Sequence, residues 1–205
     1  MSLPTSAAGC QMPARMSACA SASFFREDPP MNALLPDSPL QLRGASAEDA
    51  ARIASIYNHY VAHTVITFEL EPVTAQEMAA RIAQVHAQAL PWLVAEAGDA
   101  VLGYAYATRW RARAAYRHSV ESSIYLAPDT TGRGIGRALY AALIAELHRL
   151  DVHTVIGGAA LPNPASAALH AALGFDEVAH FRETGYKFGQ WIDVAYWQLV
   201  LRDPA

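Results

Sequence analysis

The segment Thr131-Gly132-Arg133-Gly134-Ile135-Gly136-Arg137 constrains the fold of this chain more than any other. Ahead of it, Ser119 to Leu126 alternates with the period of a strand; behind it, Leu139, Leu143, Ile144, Leu147 and Leu150 repeat with the period of a helix. A strand, a glycine turn and a helix in that order direct consecutive backbone N–H groups and the positive end of a helix dipole at one point, which is how proteins hold a pyrophosphate. Arg133 and Arg137 add positive charge there. The glycine spacing alone also fits a plain tight turn, so the rest of the sequence has to decide.

Around this unit the period switches several times. Gln41 to Arg43 reads as a short strand, and Ser46 with Glu48 and Asp49 as a helix start whose apolar face is Ile53, Ile56, Tyr57, Tyr60 and Val61. Thr74 and Glu77 form a capping-box pattern, followed by Met78, Ile82 and Val85 at helical spacing up to Pro91. Trp92–Ala95 and Val101–Thr108 then read as a hairpin turning at Gly98-Asp99. In the strand Ser119–Leu126, Val120, Ile124 and Leu126 fall on the face opposite Glu121, Ser123 and Tyr125, which leaves a carboxylate in mid-strand beside apolar neighbours. Val152–Ala160 reads as the next strand. A helix opens at Asn163-Pro164 and closes at Gly174, and two final strands, about Asp176–Arg182 and Trp191–Leu201, flank a polar glycine-containing stretch. The fold class is mixed α/β (α+β).

A length of 205 residues suits one domain with a hydrophobic core. With 53% hydrophobic residues, 17% charged residues and a net charge of -4, neither a disordered chain nor a basic nucleic-acid surface is expected, and a small-molecule partner fits better. No apolar run reaches the roughly 20 residues of a membrane helix. Both cysteines, Cys10 and Cys19, precede the folded region, so no disulfide or thiolate metal site is expected, in keeping with a cytoplasmic protein. Residues 1–38, rich in Ala, Ser and Pro and without a basic-then-apolar leader pattern, read as a disordered extension, with Met31 an alternative start; residues 39–205 form the expected domain.

Among phosphate-binding loops, a Walker A loop is excluded because no Lys-Ser or Lys-Thr follows the last glycine. A dinucleotide fingerprint has Asp151 near the required distance, but its third glycine comes one residue early. His59 and His63, four apart on a helix, lack the intervening Glu and third ligand of a zinc site, and Gly-x-Ser-x-Gly is absent, so no metal and no serine nucleophile are expected. The remaining reading is the acetyl-CoA pyrophosphate loop. Here the match extends beyond the loop to Ile56-Tyr57-Asn58-His59-Tyr60, Thr67-Phe68-Glu69, Pro91-Trp92-Leu93-Val94-Ala95, Gly103-Tyr104-Ala105, Trp110 to Arg117, Ser119 to Leu126, Leu169-His170 with Leu173-Gly174-Phe175, and Lys187-Phe188-Gly189-Gln190-Trp191. In these blocks, over about residues 41–201, the chain resembles the GNAT superfamily, and within it the phosphinothricin/methionine sulfone N-acetyltransferase-like group.

The resemblance implies a mixed sheet splayed around an acetyl-CoA site with flanking helices. It also implies a cofactor contact set: the backbone of Ile124, Tyr125 and Leu126 along the pantetheine, Gly132, Arg133, Gly134, Ile135, Gly136 and Arg137 at the pyrophosphate, and Asn163 on the pantetheine. Thr131 departs from the Arg or Gln usual at the head of the loop, which removes a charge near the phosphates, and Leu161-Pro162 replaces small polar residues. An amine must lose a proton to attack a thioester, and Glu121 is the candidate base; a strand glutamate paired with Arg111 or Arg117 is the plainer alternative. His170 stands where many relatives carry the tyrosine that protonates the leaving thiolate, although a helical His is also a common structural residue. Arg111, Arg113 and Arg117 with Tyr116 suit a substrate carboxylate, with Ser122 and Phe68 shaping the pocket and Lys187 a weaker substrate candidate. The expected acceptor is a small amino-acid-like amine such as phosphinothricin, which would confer herbicide resistance. Rival readings are another amine or a non-catalytic CoA-binding domain. A homodimer is implied by the resemblance, with the aromatic last strand suited to an interface.

Overall fold

The computed structural model describes residues 39–201; the expectations for residues 1–38, including Cys10, Cys19 and Met31, lie outside the described residues. Seven strands form one sheet in the order β1-β2-β3-β4-β5-β7-β6. They are β1 (Gln41–Gly44), β2 (Trp92–Ala97), β3 (Ala100–Arg109), β4 (Ser119–Leu126), β5 (Thr154–Ala160), β6 (Asp176–Lys187) and β7 (Gln190–Val200). The helices are α1 (Ala50–His63), α2 (Ala75–Ala87), α3 (Ile135–Arg149) and α4 (Pro164–Ala172). All neighbours in the sheet are antiparallel except β4 and β5, which are parallel and joined through the glycine turn and α3.

Each helix start carries a local reason. Ser46 accepts from the Glu48 N–H and Asp49 reaches back to the Ser46 N–H at 2.7 Å, while Thr74 and Glu77 complete the reciprocal capping box read from the sequence. The apolar stripes of α1 and α2 bury Ile53, Ile56, Tyr57, Met78, Ile82 and Val85 against Trp92, Val94 and Tyr104 on one sheet face. On the other face α3 sets Leu139, Leu143 and Leu147 against Ala105, Val120 and Val155. Leu150, expected on that stripe, lies beyond the helix end and is 46% exposed.

One strand differs from its sequence reading. β6 does not stop near Arg182 but runs on to Lys187, after a register shift between Phe181 and Gly185 in which Glu183 adopts a φ of 51°. That irregularity breaks the two-residue period by which a strand is read. The stretch expected as a polar connection shrinks to Phe188-Gly189, whose φ values of 52° and 76° fit the tight turn that joins twisted antiparallel strands.

The parallel pair sets the position of the site. β4 and β5 are in register from Ser119↔Thr154 to Ser122↔Gly157, and beyond that point no pair continues. Past Ser122 one edge of β4 stays hydrogen-bonded to β3, and the other edge faces a gap.

Candidate active site

The gap in the sheet ends at the glycine turn. Gly132 and Gly134 take φ values of 77° and 78°, a left-handed region that side chains disfavour, and Gly134 is the residue before α3. A Cβ at either glycine would meet nothing within 4 Å, so both positions are glycine for backbone conformation and open approach. At Gly136 a Cβ would stand 3.2 Å from Leu126, which holds the helix start close to the end of β4. Arg133 and Arg137 are exposed, and among the described residues neither makes an ion pair. The turn thus brings the helix start, two guanidinium groups and the unpaired edge of Ile124–Leu126 to one side of the gap. The Leu126 carbonyl, part of the expected pantetheine edge, already accepts a 2.6 Å bond from the Tyr60 hydroxyl. Asn163 caps α4, its Oδ1 accepting from the Ser166 N–H at 3.0 Å, so its amide nitrogen is the part left for a ligand.

Glu121 projects from the face of β4 that looks toward α1 and α2. Thr108 and Ser123 share this face, the former directly across from Glu121 on β3. Burial pushes the Glu121 carboxyl above the ordinary glutamate range, and the Arg111 charge partly opposes this. Arg111 lies with its guanidinium 4.7 Å from the Trp110 ring, and Trp110 meets Tyr196 edge-on at 5.8 Å. Tyr196 is brought to the same face by register: Gly158 is its partner on β5, and a Cβ there would stand 2.9 Å from the phenol ring. Burial, with the Glu121 charge adding to it, pushes the Tyr196 phenol up. A cleft of about 690 Å³ opens on this side, lined by Arg81, Val85, Trp92, Tyr106, Thr108 and Arg111 among others.

His170 comes to the parting of the strands from the opposite face. It is 3% exposed, stacked on Trp197 at 4.9 Å and seated over Gly157, where a Cβ would fall 2.2 Å from Nε2. Its Nδ1 lies 2.8 Å from the Ser166 carbonyl, which can only accept, so Nδ1 carries the hydrogen and Nε2 is an acceptor in the neutral ring. Burial lowers the His170 pKa and favours that neutral form. The Tyr140 hydroxyl, 3.2 Å from Nε2, therefore donates to it, and the Ser122 hydroxyl lies 2.7 Å further along. The structure builds a chain Ser122–Tyr140–His170–Ser166 under the gap.

This geometry separates residues expected to act together. Ser122 is buried on the His170 face, its hydroxyl 2.7 Å from that of Tyr140 and 3.2 Å from the Ile156 carbonyl, rather than beside the arginines. Lys187 is 2% exposed and donates to the Thr67 carbonyl, so it is held inside the protein and not presented to a ligand. Arg113, Tyr116 and Arg117 are exposed on and around a 3-10 turn at Ala114–Tyr116, and of the three expected arginines Arg111 is the one electrostatically linked to Glu121. Phe68 is 40% exposed and its ring lies against Gly185. Tyr140, Tyr196 and Thr108 were not singled out from sequence. The adjacent glycines Gly157-Gly158 in a strand were the available signal, since glycine there marks close approach.

Residues 42–196 match the family model described as an acetyltransferase (GNAT) domain. The chain belongs to the GNAT acetyltransferases. Within that family it is 43% identical to a phosphinothricin N-acetyltransferase of Streptomyces coelicolor over 79% of this chain and 96% of the relative. It is 37% identical to an L-methionine sulfoximine/L-methionine sulfone acetyltransferase of Salmonella typhimurium over 81% of this chain and 97% of that one. Among solved structures, a GNAT phosphinothricin acetyltransferase from Sinorhizobium meliloti in complex with acetyl-CoA superposes with a TM-score of 0.77 at 40% identity, covering 79% of this chain and 88% of that one. The splayed parallel pair and the glycine turn are thus those of a GNAT enzyme. Among the described residues, no helix of this GNAT domain is long and apolar enough to cross a membrane.

Proposed function

We propose that the protein transfers acetyl from acetyl-CoA directly to the α-amino group of a small amino-acid-like acceptor, of the kind named in its relatives: phosphinothricin, methionine sulfoximine or methionine sulfone. The observation that carries this reading is Glu121 at the parting of β4 and β5, half-buried, with Arg111 beside it and the unpaired β4 edge leading to the glycine turn. The turn and the exposed Arg133 and Arg137 fit a pyrophosphate, and the β4 edge at Ile124–Leu126, apart from the Leu126 carbonyl held by Tyr60, fits an extended amide arm. When bound, acetyl-CoA supplies an activated acyl group.

In this reading Arg111, which lines the cleft, holds the acceptor carboxylate, and Arg113, Tyr116 and Arg117 are exposed on the turn that follows it. Glu121, its basicity raised by burial, takes a proton from the acceptor ammonium, directly or through a water. The amine nitrogen then forms the C–N bond as the C–S bond breaks. The second proton, released from the nitrogen as the amide forms, balances the charge on the leaving sulfur, while Tyr140 and the neutral His170 shape the other face of the sheet at this point. His170, its Nε2 accepting from Tyr140, is a positioning residue of that face. The setting is cytoplasmic, where acetyl-CoA is available.

The test is acetyl-CoA-dependent thiol release with methionine sulfone, methionine sulfoximine, phosphinothricin, ordinary amino acids, a polyamine and an aminoglycoside. Turnover confined to the first three is the expected result; turnover with a polyamine or aminoglycoside alone would replace the acceptor, and CoA binding without turnover would make the protein a binding domain.

The same reading includes a homodimer. The β6–β7 hairpin exposes Phe181, Tyr186, Phe188 and Trp191, each more than half exposed, on one arm of the sheet. Aromatic surface of this kind is enriched at subunit contacts. Light scattering coupled to size exclusion should give twice the chain mass of 22.1 kDa, and Trp191→Glu with Phe188→Glu should shift the protein to monomer. A wild-type monomer at micromolar concentration rules the dimer out.

A further inference from the structure

The connection between α1 and α2, residues 64–74, is held more firmly than an exposed loop requires. Lys187, near the end of β6, donates from Nζ to the Thr67 carbonyl at 2.8 Å, across 120 residues of sequence, with Phe188 5.0 Å from the ammonium. The Thr67 hydroxyl lies 2.7 Å from the Tyr57 hydroxyl, which also donates to Glu69 at 3.1 Å. Glu69 in turn receives both arms of Arg81, at 2.7 and 3.1 Å. The residues on either side of Phe68 are therefore fixed from three directions, while Phe68 itself stays 40% exposed with its ring against Gly185.

Register shows where this bracket sits. Gly185 pairs with Ile192 and Lys187 with Gln190, so Gly185 and Lys187 share the sheet face of Ile192, Val194 and Tyr196. Tyr196 is on the Glu121 side of the sheet. The exposed Phe68 ring thus stands on the acceptor face; of the groups that brace its loop, Arg81 also lines the cleft, whereas Lys187 does not. Among the described residues no carboxylate pairs with Lys187. An aliphatic side chain would fill the same space without burying an ammonium, so packing alone does not account for the charge. Its donated bond to a loop carbonyl does.

We propose that Lys187 is a positioning residue that locks the α1–α2 connection to the β6–β7 hairpin, so that Phe68 stands as a preformed wall of the acceptor site. Lys187 acts on acceptor recognition without touching the acceptor. This rests on the reading that the Glu121 face takes the acceptor amine. A preformed wall saves the ordering that acceptor binding would otherwise have to supply, and ordering one aromatic side chain and its loop corresponds to about tenfold in affinity.

The experiment compares Lys187→Met, Phe68→Ala and the double variant in steady-state kinetics, with hydrogen exchange of residues 64–73 measured on the same proteins. Lys187→Met should raise the acceptor KM about tenfold, leave the acetyl-CoA KM and the saturated rate nearly unchanged, and speed exchange in the loop. The two KM effects should not multiply in the double variant, because both remove the same wall. Multiplicative effects would mean that Lys187 meets the acceptor independently, and unchanged exchange, or faster exchange with an unchanged acceptor KM, would overturn the proposal. Should Lys187→Met fail to fold, Gly185→Ala displaces the Phe68 ring without touching Lys187 and must show the same rise in acceptor KM. Wild-type protein that turns over no amine fails the acyltransfer reading, while loop exchange still decides the lock.

Discussion

Glu121→Gln is expected to lower kcat/KM for the acceptor by about a hundred- to ten-thousandfold, the range spanned by a positioned general base, while the affinity for CoA stays the same. The substitution keeps the shape of the side chain and removes its basicity, and Glu121 is not among the residues expected to hold CoA. The wild-type pH profile carries a second signature. Because burial raises the carboxyl above the ordinary glutamate range, the base is ionised only above that elevated value, so the rate falls as pH drops through it. The acid limb should therefore lie above the usual glutamate range and vanish in the Gln variant. Thiol-release kinetics and calorimetric titration with CoA measure both halves. An unchanged rate would take Glu121 out of the proton path and leave it as a strand carboxylate balanced by Arg111.

The second large effect is expected at Gly157. An alanine there puts a methyl carbon 2.2 Å from His170 Nε2, and the ring has nowhere to retreat, with Trp197 stacked at 4.9 Å and Phe175 at 5.0 Å. Gly157→Ala should cost about 1–3 kcal/mol of stability, the range for overpacking a filled core, and should reduce the transfer rate by displacing the imidazole from Tyr140. Removing the obstacle offers the control. His170→Ala alone leaves a cavity, but in the double variant the new methyl occupies part of it, so the two stability losses should be far from additive. Urea denaturation of the four proteins reads this directly. Strict additivity would mean that the strand shifts to absorb the methyl and that Gly157 is not needed for His170.

Much of this architecture was legible because it rests on local rules. The glycine turn, the hairpin at Gly98-Asp99 and the capping pairs of Ser46 and Thr74 each involve residues a few positions apart, where backbone sterics and hydrogen bonding act without tertiary help. Glu121 was conspicuous for the same reason, as a carboxylate out of keeping with its strand. The misread features depend on distant partners. Ser122 follows Glu121 directly, yet strand alternation sends it to the other face, where a tyrosine from α3 takes its hydroxyl. Lys187 had the polarity of a ligand-binding residue, and only a carbonyl 120 positions earlier shows where its charge goes. Tyr196 gave no signal in a strand already rich in aromatics. Its place beside Glu121 follows from pairing with Gly158, which the sequence alone does not reveal.

Two hydroxyls on α1 carry a consequence of their own. Tyr57 and Tyr60 are three residues apart, hence on one side of the helix; the first holds the Thr67–Glu69 bracket and the second grips the carbonyl at the end of β4. A single turn of helix therefore yokes the strand that borders the cofactor gap to the loop that carries Phe68. The end of β4, paired with β3 in the sheet, and the connection that carries Phe68 are thus both hydrogen-bonded to one turn of α1, so the border of the cofactor gap and this loop share a single support.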